Sequence, residues 1–200
     1  MDAVAQARAA GGDPGFYVVD LDGTLVTAHS EKEGAAPTYK RGFGFYPLLA
    51  FLDATGEPLA GILRPGNAGS GTAADHVTVL DAALAQLPVD PTQQEVIARA
   101  DTAGCSHAFL EHCGTRGVRF IVGHPFPEAI AAAVLGARGI RWMPAPTADG
   151  TAEREVGEVA EFTGRVDLTG WAGKPIGASQ RKPSHCAARD PPSGSPAPLY

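Results

Sequence analysis

The feature that most constrains this chain is a change of hydrophobic period near residue 72. Before it, three β-type apolar runs follow one another: Phe16 to Leu21, Phe43 to Leu52 and Pro58 to Leu63. The first stops at the turn signal Asp22-Gly23. The other two flank Ala54-Thr55-Gly56-Glu57 and read as a hairpin. Residues 27–42 are polar and read as a loop. After residue 72, Val77, Leu80, Leu84 and Leu87 recur at helical spacing, with Thr72 as N-cap, Asp75 three residues on and Pro88 as the stop. Glu95 to Ala100 is a short strand ending in Asp101. Ser106 caps a helix whose face is Phe109, Leu110 and Cys113 and which ends near Gly117. Val118 to Val122 is a fifth strand, and Pro127 opens a helix that runs through Leu135.

Strands joined by short turns make an antiparallel meander, and strands alternating with helices add parallel neighbours by crossover. The expected class is therefore α/β, in the layout of the ribonuclease H-like fold. There the first and fourth strands lie side by side, so Asp20 and Asp22 would meet Asp101. Beyond Ile140 the pattern weakens. Arg141 to Ala145 reads as a strand, and Thr151 to Glu161 as a strand or a poor helix. The domain reading is a disordered leader over 1–14, a partial catalytic core over 15–145 and the start of a β-rich insertion over 146–171. Residues 172–200 form a low-complexity tail, rich in Pro, Ser and Gly, that looks like translation in another frame.

Bulk properties narrow the function classes. A net charge of −6 over 200 residues argues against a self-sufficient nucleic-acid binder, which normally shows a basic face. The sign is uneven: from residue 172 on, Lys174, Arg181, Lys182 and Arg189 against Asp190 give +3, leaving −9 elsewhere. Cys105, Cys113 and Cys186 lack metal-ligand spacing and fit free thiols in a reducing cytoplasm. No apolar run is long enough for a membrane helix, and no signal peptide is visible.

The chemistry lies with the carboxylates. Asp residues gathered at strand ends make a hard-oxygen site for Mg²⁺ or Mn²⁺. Two such ions, about 3.5–4 Å apart, activate a water or hydroxyl and stabilise the leaving oxygen of a phosphodiester. Asp22, Asp101 and Asp20 are the candidate ligands. Gly23 lets the chain turn at once, and Thr24 can orient a carboxylate. Strand-end Asp residues are also common turn formers, so Asp101 has a purely structural reading too. His29, His76, His107, His112 and His124 are scattered and read as surface or capping residues. Gly66-Asn67-Ala68-Gly69-Ser70-Gly71 resembles a phosphate cradle but lacks the Lys-Ser/Thr of a P-loop. Lys40 and Arg41, beside Tyr39, form a small basic cluster: either a solvated loop or a contact for DNA phosphates.

Two families resemble the first motif. Val-Val-Asp20-Leu-Asp22-Gly-Thr-Leu-Val26 looks like the first motif of haloacid dehalogenase-type phosphatases, which would make Asp20 the nucleophile and Asp22 the acid/base. That likeness covers about nine residues. Gly173-Lys174-Pro175 tempts as the later Lys motif, but no acidic pair follows it, only Arg189-Asp190-Pro191. A far longer resemblance runs from about Tyr17 to Trp171. Asp20-Leu-Asp22-Gly-Thr24 through Ser30-Glu-Lys-Glu33, Tyr39-Lys-Arg through Pro47-Leu-Leu-Ala-Phe-Leu52, Gly61-Ile-Leu-Arg-Pro-Gly-Asn67-Ala-Gly-Ser70 and Arg99-Ala-Asp101-Thr-Ala-Gly104 are similar to DDE transposases of bacterial insertion sequences, the 1380 family (transposase DDE domain, group 1).

The resemblance implies DNA transposition with two Mg²⁺ or Mn²⁺ ions and no small-molecule cofactor. Asp22 and Asp101 would be the first two catalytic carboxylates and Asp20 a neighbour. Transposon ends and target DNA would be the partners of a cytoplasmic homo-oligomer. That family commonly has Ala where this chain has Gly23. Its third carboxylate, a Glu beyond the β-rich insertion, has no counterpart between Glu111 and Glu161. The expectation is a transposase truncated at both ends and catalytically inactive. The non-enzymatic alternative is a pseudogene product that barely folds.

Overall fold

The computed structural model describes residues 15–29, 31–69, 72–125, 127–146, 152–165, 169–171 and 178–181. In chain order the elements are β1 (Phe16–Gly23), β2 (Val26–Thr27), β3 (Ala36–Pro37), β4 (Phe43–Phe45), β5 (Leu48–Leu52), β6 (Glu57–Ile62), α1 (Ala73–Leu84), β7 (Glu95–Ala100), α2 (His107–Thr115), β8 (Arg119–Val122), α3 (Glu128–Gly136), β9 (Met143–Pro146), β10 (Glu153–Glu161) and β11 (Ala178–Arg181). A short 3-10 turn, Thr102–Gly104, follows β7. The chain divides into two compact units, residues 1–125 with 171–173, and 126–170 with 174–200.

The first unit is built on a five-stranded sheet of order β6-β5-β1-β7-β8. β1 pairs antiparallel with β5, which pairs antiparallel with β6. On its other edge β1 pairs parallel with β7, and β7 with β8. A three-strand meander extended by parallel crossover strands is the ribonuclease H-like arrangement that the period change implied. Pro58 lies in β6, on the sheet edge, where a missing N–H costs no ladder bond.

The core follows from strand alternation. Tyr17, Val19 and Leu21 of β1 are buried, as are Leu48, Ala50 and Leu52 of β5 and Val96 and Ala98 of β7. The register sets Val19 against Leu52 and Ala98, so these side chains share one face. That face packs with Val79, Leu80, Ala83 and Leu84 of α1 and Phe109, Leu110 and Cys113 of α2. Each large side chain so buried contributes about 1.5–3 kcal/mol.

The ends of α2 obey their sequence signals. Ser106 Oγ accepts from Phe109 N at 3.3 Å. After α2, Gly117 takes φ 71°, Val118 N donates to Cys113 O (2.9 Å) and Gly117 N to Gly114 O (3.2 Å), a Schellman closure. α1 starts after Thr72 and ends at Leu84, ahead of the expected stop at Pro88.

Three segments depart from the sequence reading. The apolar run from Phe43 to Leu52 is two strands. Pro47, which cannot donate to a ladder, interrupts it, and β4 joins β2 and β3 in a separate sheet of order β2-β4-β3. Its partners come from the stretch expected to be loop. His76 is not a surface residue: it is 1% exposed, packs on Phe109 and bonds Thr72 O through Nδ1 (3.2 Å).

In the second unit, Val134, Ala160 and Phe162 form a small core lined by Ile130, Ala137, Ile140 and Trp142. The stretch from Thr151 to Glu161, open between strand and helix in the sequence, is strand: β10 sits between β9 and β11. β11 falls in the tail expected to lack structure. Its four residues are organised by an antiparallel partner rather than by their own pattern. The leader (1–14) and Cys186 lie outside the described residues. Among the described residues no helix is long and apolar enough to cross a membrane.

Candidate metal and DNA-processing site

The face of β1 opposite the core carries Val18, Asp20 and Asp22. The parallel register pairs Asp20 with Arg99 and ends at Leu21 with Ala100. One residue further on both strands stand Asp22 and Asp101. The sequence-expected pair therefore leaves the C-terminal ends of adjacent parallel strands, side by side.

The two positions along β1 differ in their partners. Arg99 grips Asp20 with both arms, Nε to Oδ1 at 2.5 Å and Nη2 to Oδ2 at 2.6 Å, and Nη2 also reaches Asp53 Oδ1 at 2.6 Å. The bond to Asp20 first, then the one to Asp53, raises the Arg99 pKa against a desolvation penalty. Asp22 is exposed and has no hydrogen-bond or ion-pair partner among the described residues. Asp101 caps the 3-10 turn by accepting Ala103 N on Oδ1 (2.8 Å), so its turn-forming reading holds. Its Oδ2 has no partner among the described residues. Gly123 N donates to Ala100 O (3.1 Å). A side chain at Gly123 would meet Thr102 N at 2.9 Å, so the end of β8 closes tightly on the Asp101 turn.

A phenol completes the setting. Tyr46 follows β4 and precedes Pro47. A Cβ built on Gly23 would lie 2.8 Å from its Cζ and Oη, so the ring occupies the space a side chain would need. Burial raises the Tyr46 pKa most, followed by the charges of Tyr39, Asp101 and Asp22, while Arg64 opposes them. Both carboxylates thus act on one phenol oxygen. Arg64 lies over the Tyr46 ring at 5.0 Å and donates Nε to Tyr46 O at 3.0 Å. It is 5% exposed, is anchored through Nη1 to Gly69 O and Asp75 Oδ2 (3.2 Å each), and keeps Nη2 buried without a partner among the described residues. Tyr39 meets Tyr46 edge-on at 6.1 Å, and Lys40 Nζ stands 5.7 Å from the Tyr39 ring.

Tyr46, Arg64 and Arg99 were missed in the sequence. Two signals pointed toward Tyr46: a proline directly after an aromatic run, and a glycine directly after Asp22. The phosphatase reading fails on two observations. Its nucleophile, Asp20, is clamped by Arg99, and the segment after the motif returns as an antiparallel hairpin. The Gly-rich segment reaches the site through Gly69 O, which accepts from Arg64; its last two residues, Ser70 and Gly71, lie outside the described residues.

The family model described as transposase DDE domain group 1 matches residues 7–159. The chain belongs to this family. DDE domains process DNA in transposition and generally use divalent metal ions. No curated protein matches the chain. Among solved structures, the cryo-electron-microscopy structure of the simian T-cell lymphotropic virus intasome in complex with PP2A regulatory subunit B56 gamma is similar at 14% identity and a TM-score of 0.36. The match covers 58% of this chain and 38% of that one, so the DDE domain here spans well under half of that protein.

The donor set fits a hard divalent cation in kind. Two adjacent carboxylates, one wholly unpartnered and one with a spare oxygen, repel each other unless a positive charge joins them. Among the described residues no group of three His, Cys, Asp or Glu gathers to hold a metal.

Proposed function

We propose that this DDE domain descends from the DNA strand-cleaving and strand-transfer core of a bacterial insertion-sequence transposase of the 1380 family and is inactive as it stands, with Asp22 and Asp101 as its metal-holding carboxylates. One observation carries the reading: two carboxylates without cationic partners end adjacent parallel strands at the same level. A bound Mg²⁺ or Mn²⁺ pair supplies an activated water or hydroxyl and neutralises charge at the phosphodiester. Asp22 and Asp101 hold and orient the cations. Asp20 keeps its neighbour's strand in place through Arg99. Lys40 and Arg41 contact DNA phosphates, transposon ends and target alike. We place the protein in the cytoplasm as a homo-oligomer; free Cys105 and Cys113 fit a reducing compartment. Two carboxylates without a third among the described residues leave the chain, on this reading, able to bind metal but unable to complete strand transfer.

The experiment is Mn²⁺ titration by calorimetry, coupled to nicking of duplex DNA. The wild type is expected to bind Mn²⁺ without nicking DNA, and Asp22→Asn and Asp101→Asn each to abolish binding. Binding unchanged in both variants would sink the metal site. Nicking by the wild type would overturn the inactivity.

A further inference from the structure

The turn between β3 and β4 carries a feature that the metal site does not use. Residues Thr38 to Gly42 close on themselves: Thr38 N donates to Gly42 O (2.9 Å), Arg41 N to Thr38 O (3.0 Å) and Gly42 N to Thr38 Oγ1 (3.0 Å). Arg41 adopts φ 61°, in the left-handed region that non-glycine residues seldom enter and hold only where surroundings impose it. The sheet beneath is tight. A Cβ on Gly44 would lie 2.0 Å from Val26 O, and one on Gly66 2.4 Å from Ala36 O. On this firm base the turn presents Tyr39, 70% exposed, with Lys40 beside its ring and Arg41 next in line.

The exposed ring points back toward the carboxylates through another ring. Tyr39 meets Tyr46 edge-on, and Tyr46 lies against Gly23 under the charges of Asp22 and Asp101. Cations flank both rings, Lys40 the outer and Arg64 the inner. An exposed aromatic ring with adjacent cations, leading to a phosphodiester-processing centre, is the composition of a single-strand platform: bases stack on the ring while cations neutralise phosphates. Inside a duplex no base face is free for such a ring.

We propose that Tyr39 is the stacking platform for an unpaired DNA base that flanks the phosphodiester at the Asp22–Asp101 site, with Lys40 and Arg41 on its phosphates. The inference rests on the DNA-processing reading and adds that the substrate enters with at least one base unstacked.

The test is fluorescence anisotropy of the full chain, in EDTA at one fixed salt concentration, with a labelled duplex that is either blunt or carries a short single-stranded tail. The wild type is expected to prefer the tailed duplex. Tyr39→Ala is expected to lower that preference about five- to a hundredfold, the range for loss of one base–aromatic stack, with blunt-duplex binding unchanged. Tyr39→Trp is expected to keep it. A wild type without tail preference, or a Tyr39→Ala variant that matches the wild type or weakens both duplexes equally, overturns the inference. The metal is chelated in this assay. Loss of Mn²⁺ binding as the only failure therefore indicts the carboxylate site, and loss of tail preference as the only failure indicts Tyr39.

Discussion

At Asp20 the fold supplies a cation; at Asp22, one pleat further along the same face of β1, it does not. Asp20 and Asp53 share Arg99 in a closed cluster that spans β1, β7 and the turn after β5. Asp22 and Asp101 have no basic partner among the described residues, and Arg64, against the Tyr46 ring, is committed to Tyr46, Gly69 and Asp75. Like charges on neighbouring strands are destabilising. The fold neutralises Asp20 with a cation, whereas Asp22 has none among the described residues and Asp101 accepts only the backbone N–H of Ala103. The contrast separates two settings of the same residue type: Asp20 stitches strands, and Asp22 has no partner among the described residues.

The largest expected effect breaks the open half of this contrast. Loss of groups that merely support metal ligands costs about 10–100-fold in affinity, so removal of a ligand is expected to cost at least about a hundredfold. Asp22→Asn and Asp101→Asn should each do so in a Mn²⁺ titration. In metal-free buffer the same variants should be slightly more stable than the wild type, by about 0.2–1 kcal/mol at most, because a like-charge pair has been relieved. Urea unfolding with and without Mn²⁺ reads both signs. An Asp22→Asn variant that loses stability without metal would show that Asp22 has a protein partner after all.

Next in size is the packing that closes the site from above. Gly23→Ala puts a methyl 2.8 Å from the end of the Tyr46 ring, which Arg64 and Tyr39 hold on its other sides. Overpacking of this kind costs about 1–3 kcal/mol, toward the lower end here because the ring tip can shift. The cost should largely vanish in a Tyr46→Ala background, and a double-mutant cycle by urea unfolding measures the coupling. The pairing gives a physical reason for the glycine after Asp22: this chain seats a tyrosine ring over it.

The cycle also marks where sequence reading succeeded and where it stopped. β1, the β5–β6 hairpin, β7 and β8 were legible because each alternates or runs apolar between turn residues, and the meander-then-crossover order fixes their neighbours. The adjacency of Asp22 and Asp101 followed from that order alone. Tyr46, Arg64 and Arg99 were not legible. Their roles come from side chains that cross between elements 18 or 79 residues apart. The two-residue strands β2 and β3 carry too few positions to show a period, and β11 is a strand only because β10 offers it an edge. His76 was read as a surface or capping residue by residue type and is core by its place on α1.

The closed half of the contrast is broken at Arg99. Arg99→Met removes the cation and leaves Asp20 and Asp53 facing each other on a partly exposed surface. The Arg99 side chain is 45% exposed, so solvent screens the cluster and the loss should be about 1 kcal/mol or less, shrinking as salt is added. Arg99→Lys should recover only part of it, because an ammonium cannot grip Asp20 with two parallel bonds. The sharper outcome concerns metal. If the closed cluster differs from the open one only in its cation, Arg99→Met should create a second, weak Mn²⁺ site at Asp20 and Asp53. A calorimetric stoichiometry unchanged from the wild type would mean that position on the strand, and not charge alone, makes Asp22 a ligand.

The smallest effect is expected at the third carboxylate setting, Asp75, which is half-buried and paired with Arg64. Its pKa lies below the ordinary 3.8, first through a hydrogen bond from Thr72, against a desolvation cost larger than either contribution of Arg64. A carboxylate with a lowered folded pKa binds fewer protons folded than unfolded in that range. Its contribution is therefore fully present above the unfolded value and is lost as pH falls through the folded one. Urea unfolding of the wild type and Asp75→Asn should differ by a constant amount above about pH 5, and the gap should close as the pH drops below the ordinary carboxylate range. The pair also orients Arg64 under the Tyr46 ring. If Asp75→Asn leaves Mn²⁺ affinity untouched while narrowing the acid gap, then Arg64–Asp75 is scaffold, like Asp20–Arg99. If affinity drops with it, the boundary between stitching carboxylates and ligand-holding ones runs through Tyr46, and the phenol belongs to the site.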